Sequence, residues 1–506
     1  MLTLPIVLLP FGSERLLTEG LTAGADKGCS HRPATQQGTM TQSRGDHRLM
    51  ENTRFTDGRV PHPGIRDMFE TPRRWQAYLD VEAALALVEA ELGIIPVEAA
   101  KAIAEAADVD RLDQDRVRRE MDRTSHPMMP LVVELSRAVG EEHGGWVHWG
   151  ATTQNITQTG DLIVLRRAFD VIVSQVGRLL RVAADLADEH AETFMAGRTH
   201  GQHALPITFG FKAAAWADEL IRHADRLEQL QPRLFVAMTG GAAGTFASLG
   251  ELGPDVQQAV ANRLHLGSMA IPGRSIVDHL AEYVLVLGLL ATTGAKIGLE
   301  IYTLMATEVG ELEEPVPAGT VGSSTMPHKR NPQLAQDVMN ISAEIRALVP
   351  LALEGAIVGH EGDHAPALLE RATRQSSILT GDLLERVHLI LDNLGVHADR
   401  MRSNVDTSGG LITSEAVMLR LGGFIGRQAA HDVVYDVAQA VVVRGGTFAA
   451  HLARNPRVRE HLSHGELDTL LEPSGLTGLS AQLARQGASR ARERAASLAE
   501  GARHTT

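Results

Sequence analysis

The 506-residue sequence has one cysteine, Cys29. A single thiol excludes a disulfide framework and a cysteine-ligated zinc site, and beyond the N-terminal tail there is no thiol nucleophile. Aromatic residues are scarce at 4%, while hydrophobic residues make up 44%. The chain is rich in Ala, Leu, Val, Glu and Arg, which favours helices over sheets. Surplus positive charge is missing too. Against 62 acidic residues stand 48 Lys and Arg, for a net charge of −14. That balance argues against a nucleic-acid partner or an acidic membrane. Residues 1–10 are apolar, but the run is too short to span a bilayer and carries no Lys or Arg ahead of it. Neither a membrane anchor nor a signal peptide is expected, and a cytoplasmic enzyme fits. Residues 11–53 lack periodicity, so 1–53 is read as a disordered extension, with Met40 and Met50 as alternative starts.

From Pro72 the pattern turns helical. Trp75, Leu79, Val81, Ala84, Leu85 and Val88 recur at threes and fours until Gly93. Long amphipathic segments follow over 158–193, 207–232 (ending at Pro232), 275–311, 333–358 and 367–395. Beyond Gly409-Gly410 the helices shorten. No internal repeat is present, and no period-2 run is long enough to build a sheet. The expected fold is all-α: an N-terminal helical domain at 54–160, a central long-helix bundle at 161–408, and a C-terminal helical domain at 409–506. A bundle this long leaves apolar faces exposed unless copies associate, so a homo-oligomer is expected.

Three segments differ from ordinary helix surface. One is Trp149-Gly150-Ala151-Thr152-Thr153-Gln154-Asn155. Another is Gly197-Arg198-Thr199-His200-Gly201-Gln202-His203. The third, Gly322-Ser323-Ser324-Thr325-Met326-Pro327-His328-Lys329-Arg330-Asn331-Pro332, packs hydroxyls, cations and an amide between prolines. Its prolines and glycines prevent regular structure, and such a loop exposes backbone N–H groups. Hydroxyls and N–H groups at helix starts bind carboxylates. A proton next to a carboxylate is weakly acidic, and its removal builds a dianion that preorganised donors must stabilise. Ser323 acts as a base only where its alkoxide is stabilised in a water-poor pocket. Three such segments in one helical chain point to a shared site at the end of a bundle.

The third segment resembles the fumarase/aspartase superfamily motif G-S-S-x-M-P-x-K-x-N-P at every fixed position. All three segments resemble that superfamily's homologous regions, over roughly residues 60–500. The nearest branch holds adenylosuccinate lyase and 3-carboxy-cis,cis-muconate cycloisomerase. The resemblance implies a helical homotetramer whose active sites each draw on three subunits. It also implies a small dicarboxylate substrate and no cofactor or metal. Ser323 matches the base. Lys329 and Asn331 match the residues that stabilise the aci-carboxylate. His200 matches the general acid, and His126 a second histidine. Thr152, Thr153, Gln154, Asn155, Thr199, Gln202, Ser324 and Met326 fall in the substrate-binding set. His203 is read either as a site donor or as a packed histidine, and His148 as structural.

His360-Glu361-Gly362-Asp363-His364 matches H-E-x-x-H, a zinc-hydrolase pattern that needs a continuous helix, and Gly359, Gly362 and Pro366 oppose one. In the branch this stretch lines the substrate. Adenylosuccinate lyases carry an Arg and serines where Gly362, Ala365 and Ala367 stand. Muconate cycloisomerases usually carry a tryptophan at the place of His200. The expected reaction is therefore fumarate-forming elimination from a small substituted succinate by C–N cleavage, with nitrosuccinate as one substrate. The cycloisomerase and adenylosuccinate lyase reactions are the alternatives.

Overall fold

The computed structural model describes Arg54 and residues 56–317, 319–362 and 366–504. The extension expected at 1–53, with Cys29, and also His364 lie outside the described residues. Helix α1 (Thr71–Glu91) opens with Pro72 in its first turn and buries Trp75, Leu79, Val81, Ala84, Leu85 and Val88. It stops at Gly93, whose φ of 74° suits glycine. Helices Val97–Ala106, Gln114–Thr124 and Met129–Val139 pack with α1 around one apolar cluster.

The central bundle holds α2 (Thr153–Glu189), α3 (Phe209–Leu234), α4 (Asp278–Leu304), α5 (Gln333–Gly355) and α6 (Pro366–Asp392). The apolar stripe of α2 is buried along its length, from Leu162 and Phe169 through Ile172 and Leu179 to Leu186. Phe169 meets Phe235 edge-to-face at 5.2 Å. A Cβ on Gly298 of α4 would stand 2.9 Å from Val338 of α5, so glycine there allows close approach of the two helices. Helix α4 is long and apolar enough to cross a membrane by length and composition, but it is a core helix here, with Tyr283, Leu287 and Ile297 buried. Helix α3 runs through Pro232 to Leu234, whereas the sequence pattern placed its end at the proline. In the last turn a proline forfeits only one backbone bond.

The last helix, α7 (Ser480–His504), lies on the central bundle, although the sequence grouped it with the C-terminal part. Ala488, Ala491 and Ala495 are buried in the central apolar cluster. Arg492 reaches Asp185 and Asp188 of α2 at 2.9 and 3.2 Å, and Arg494 reaches Asp225 of α3 at 3.0 Å. Exposed pairs of this kind contribute ~0–1 kcal/mol each, so the alanine face carries most of the docking. Residues between Ser414 and Leu470 form a third apolar cluster around Val417, Leu421, Val433 and Phe448.

The described residues are overwhelmingly helical, with three two-stranded pairings. One was not expected: β1 (Phe194–Thr199) and β2 (Gln202–Thr208) form an antiparallel hairpin between α2 and α3. Its tip is His200-Gly201, with φ of 54° and 73°, the left-handed pair of a type I′ turn.

The bundle has two ends. At 37 residues, α2 is about 55 Å long. Thr152 caps its start and the hairpin follows its finish. Helix α4 runs antiparallel to α3, with Lys212–Glu300 at 2.6 Å near the hairpin end and Arg233 Nε–Glu282 at 3.1 Å near the other. The Ser323 loop, between α4 and α5, therefore lies at the hairpin end.

Candidate active site

At the start of α2, Asn155 is fully buried. Its Oδ1 accepts the Thr152 and Gly241 N–H groups at 3.0 and 3.1 Å, and its amide nitrogen faces the Met238 sulfur. Sequence reasoning placed Asn155 among the ligand-binding residues. In the structure it braces the segment, with both its amide oxygen and its amide nitrogen engaged by neighbouring residues. Gln154 is engaged as well: its Oε1 accepts from Arg274 Nε at 2.7 Å, and its nitrogen donates to Arg274 O and Gln158 Oε1, both at 3.0 Å. Thr152 and Thr153 are half-buried at the helix N-terminus, where N–H groups and the helix dipole favour an anion. His126 belongs to this end, since Pro127 and Gln154 line one cavity. Its Nδ1 accepts the Met128 and Met129 N–H groups at 3.2 and 2.9 Å, which fixes the Nε2–H tautomer.

His148 stands just before the segment with φ of 64°. Its Nδ1 is 2.6 Å from the buried Glu82 carboxylate. Burial works against its charge, but the Glu82 hydrogen bond and the Glu82 charge together outweigh it and the pKa is raised. The contact is a structural latch, in line with the sequence reading.

At the opposite end, Thr199, His200 and Gln202 are exposed around the hairpin tip. Arg198 anchors the hairpin through Glu311 at 2.9 Å, and Asn404 donates to the same carboxylate at 2.7 Å. His203 is half-buried and its Nδ1 has no partner among the described residues. Burial, and then the nearby Arg198 charge, lowers its pKa, so the ring is neutral.

The third segment folds back on itself. Asn331 Nδ2 donates to Gly322 O, and a Cβ on Gly322 would stand 2.1 Å from Lys329 O, so only glycine fits. Ser323 Oγ accepts the backbone N–H groups of Met326 at 3.1 Å and Thr325 at 3.3 Å. A hydroxyl oxygen under two N–H donors is biased towards its deprotonated form. Ser324, Met326 and Lys329 are exposed, and Lys329 makes no ion pair among the described residues. A cavity of about 380 Å³ lies against the loop, lined by Arg59, Lys329, Arg330 and Asn331 and by no acidic residue. It suits an anionic ligand.

One chain does not bring the three segments together. Thr152 and Thr153 are a helix length from His200, and no hydrogen bond or ion pair joins the hairpin tip to the Ser323 loop among the described residues. The zinc pattern fails on backbone geometry: α5 ends at Gly355, α6 starts at Pro366, and His360 between them has φ of 47°. Sequence reasoning missed Arg274, which also donates to Ala242 O at 2.7 Å and packs on Gly362. The Gly240-Gly241-Ala242-Ala243-Gly244 run it holds was the available signal.

Comparisons with known proteins agree with this architecture. The family profile described as "Lyase" matches residues 57–346, and that described as "Adenylosuccinate lyase C-terminus" matches 410–486. An N-acetyl-S-(2-succino)cysteine lyase of Dickeya dadantii is 38% identical, over 83% of this chain and 92% of its own. A 3-carboxy-cis,cis-muconate cycloisomerase of Pseudomonas aeruginosa is also 38% identical, over 82% and 91%. The crystal structure of a fumarate lyase from Mesorhizobium sp. BNC1 superposes with a TM-score of 0.79 at 35% identity, over 84% of this chain and 97% of that one. A helical bundle, a Ser-Lys-Asn loop and similarity across most of the chain lead to one assignment: the chain belongs to the fumarate-lyase superfamily of β-elimination lyases.

Proposed function

We propose that the enzyme forms fumarate from a small 2-substituted succinate, with Ser323 as base. The observation that carries this reading is the Ser323 hydroxyl oxygen under two N–H donors, in a loop whose Gly322, Lys329 and Asn331 line a cavity. Ser323 takes a proton from the carbon next to one carboxylate. Lys329 and Asn331 hold the aci-carboxylate that forms. The electron pair then closes the double bond, the bond to the leaving group breaks, and His200 returns a proton to the leaving atom. Thr152, Thr153 and Thr199 bind the carboxylates, with Gln202, Ser324 and Met326 around them. His126 offers its Nε2–H.

Within one chain Thr152 and Thr153 stand apart from the hairpin tip, which supports a homotetramer whose sites are shared between chains; the enzyme is read as cytoplasmic. A helix of about 55 Å keeps Thr153 and His200 apart within one chain. Similarity to a succinocysteine lyase supports a thiol as leaving group. The amine of adenylosuccinate is a second reading, supported by the C-terminal family match. Gly362 and Ala367 count against it, since neither side chain holds a phosphate. The nitrite expected from sequence has no support from the relatives described above.

The test is to incubate the enzyme separately with N-acetyl-S-(2-succino)cysteine, adenylosuccinate, nitrosuccinate and carboxymuconate, following fumarate absorbance. Fumarate from a succinate derivative is the expected result. Lactone from carboxymuconate, with no fumarate from the others, overturns the proposal.

A further inference from the structure

Two adjacent glutamates, Glu313 and Glu314, bond across the base of the Ser323 loop. Glu314 is buried, only 1% exposed. Its Oε1 accepts the Leu334 N–H at 2.9 Å and its Oε2 the Ala335 N–H at 2.8 Å. Those donors lie in the first turn of α5, at the far stem of the loop, and both residues are fully buried. The loop itself is exposed over 319–330 except at Gly322 and Ser323, which are half-buried. Among the described residues, Arg330 is the only side chain between 315 and 332 with a hydrogen bond or ion pair outside the loop, and its partner is Glu313. The exposed tip therefore takes its position from its stems.

We propose that Glu314 is a positioning residue for the elimination: its carboxylate clasps the two stems together and so holds Ser323, Lys329 and Asn331 in place for proton removal. The inference rests on the reading of Ser323 as base.

A helix start leaves N–H groups without partners, and the cap position of α5 is Pro332, whose side chain offers no acceptor. The Glu314 carboxylate fills that place from across the loop and meets the positive end of the helix dipole. Burial raises its pKa, while the Leu334 and Ala335 N–H groups and the Arg59 charge hold the rise back. Asn331 precedes this helix start across the rigid Pro332, so a shift of the start moves it directly. Asn331 donates in turn to Gly322 O, which carries the shift to Ser323. Glu313 adds a second tie beside Lys329 by pairing with Arg330 Nε. The strand Leu312–Glu313 is itself pinned to Gly395–Val396, so both glutamates start from a fixed element. Thr152 and Thr153 lie on another segment. Loss of the clasp should therefore act on the chemical step more than on substrate binding.

The experiment measures fumarate formation from N-acetyl-S-(2-succino)cysteine by the wild type, Glu314→Gln, Glu313→Gln and Ser323→Ala, with folding checked by circular dichroism. The amide of Glu314→Gln turns a donor towards one of the two N–H groups. Its kcat is expected to fall at least about tenfold, with KM within about threefold of wild type. Glu313→Gln, at a half-buried position, should lower kcat about threefold, and it carries the test if Glu314→Gln does not fold. A lower melting temperature with unchanged kcat marks a structural cap and overturns the proposal. Ser323→Ala separates the two claims. If it keeps wild-type activity, the base reading has failed; if it is inactive while Glu314→Gln is fully active, the clasp alone has failed. If the wild type makes no fumarate from this thioether, the loop is tested directly by trypsin cleavage after Lys329 and Arg330. The folded glutamine variants should be cut at least about fivefold faster than wild type, and equal rates overturn the proposal.

Discussion

Mixing two inactive variants should restore activity. Thr153→Val removes a hydroxyl at the start of α2, and His200→Asn removes the imidazole at the hairpin tip. Each change alone should cut kcat/KM by at least about 100-fold. The two residues lie at opposite ends of one helix of 37 residues, about 55 Å in length. A site using both must take them from different subunits. When equal amounts of the two variants assemble at random, such a site finds both residues intact with a chance of about one in four. Co-expression with two affinity tags isolates the hybrids, and their fumarate production should reach about one quarter of wild type. If both residues of a site came from the same chain, every site would keep one defect. Hybrids that assemble and remain inactive would refute the reasoning.

Further outcomes follow from individual contacts. Gly322→Ala places a Cβ 2.1 Å from Lys329 O. It should lower kcat at least about 100-fold while far-ultraviolet circular dichroism stays unchanged. Phe169→Ala, at a fully buried position, should cost about 3–5 kcal/mol in denaturant unfolding. Burial, with Glu82 close by, pushes the Glu89 carboxyl up to about 8. The native state therefore holds that proton up to about pH 8, while the unfolded chain releases it near pH ~4.3. Stability falls as pH rises between those values, and Glu89→Gln should add about 4–5 kcal/mol near pH ~8 and almost nothing near pH ~4, read by calorimetry. Treatment with EDTA should leave fumarate production unchanged; activity lost to the chelator and returned by zinc would revive the hydrolase reading.

Much of the bundle was legible because burial and periodicity coincide. The stripe from Leu162 to Leu186 is apolar at helical spacing and is buried throughout. The Ser323 loop was legible through its prolines and its clustered Lys and Asn, which local chemistry alone singles out. The hairpin was not. Phe194–Thr208 lacks a clean apolar alternation, and its strands are held by contacts remote in sequence, such as Arg198 with Glu311. Gly201 after His200 was the available turn signal. The bracing contacts of Asn155 were not legible, because a capping amide and a ligand-binding amide look alike in sequence. The cavity lined by Gln154 was illegible for a stronger reason: Arg74, Asp161 and Thr373 come from three helices far apart in the chain, and only packing makes them neighbours.

The most direct measurement is a crystal structure of the assembled enzyme with fumarate bound. Ser323 Oγ should lie within about 3.5 Å of the carbon that lost its proton, with Lys329 and Asn331 on the adjacent carboxylate. An oxygen turned away from that carbon, with another side chain in its place, would contradict the account.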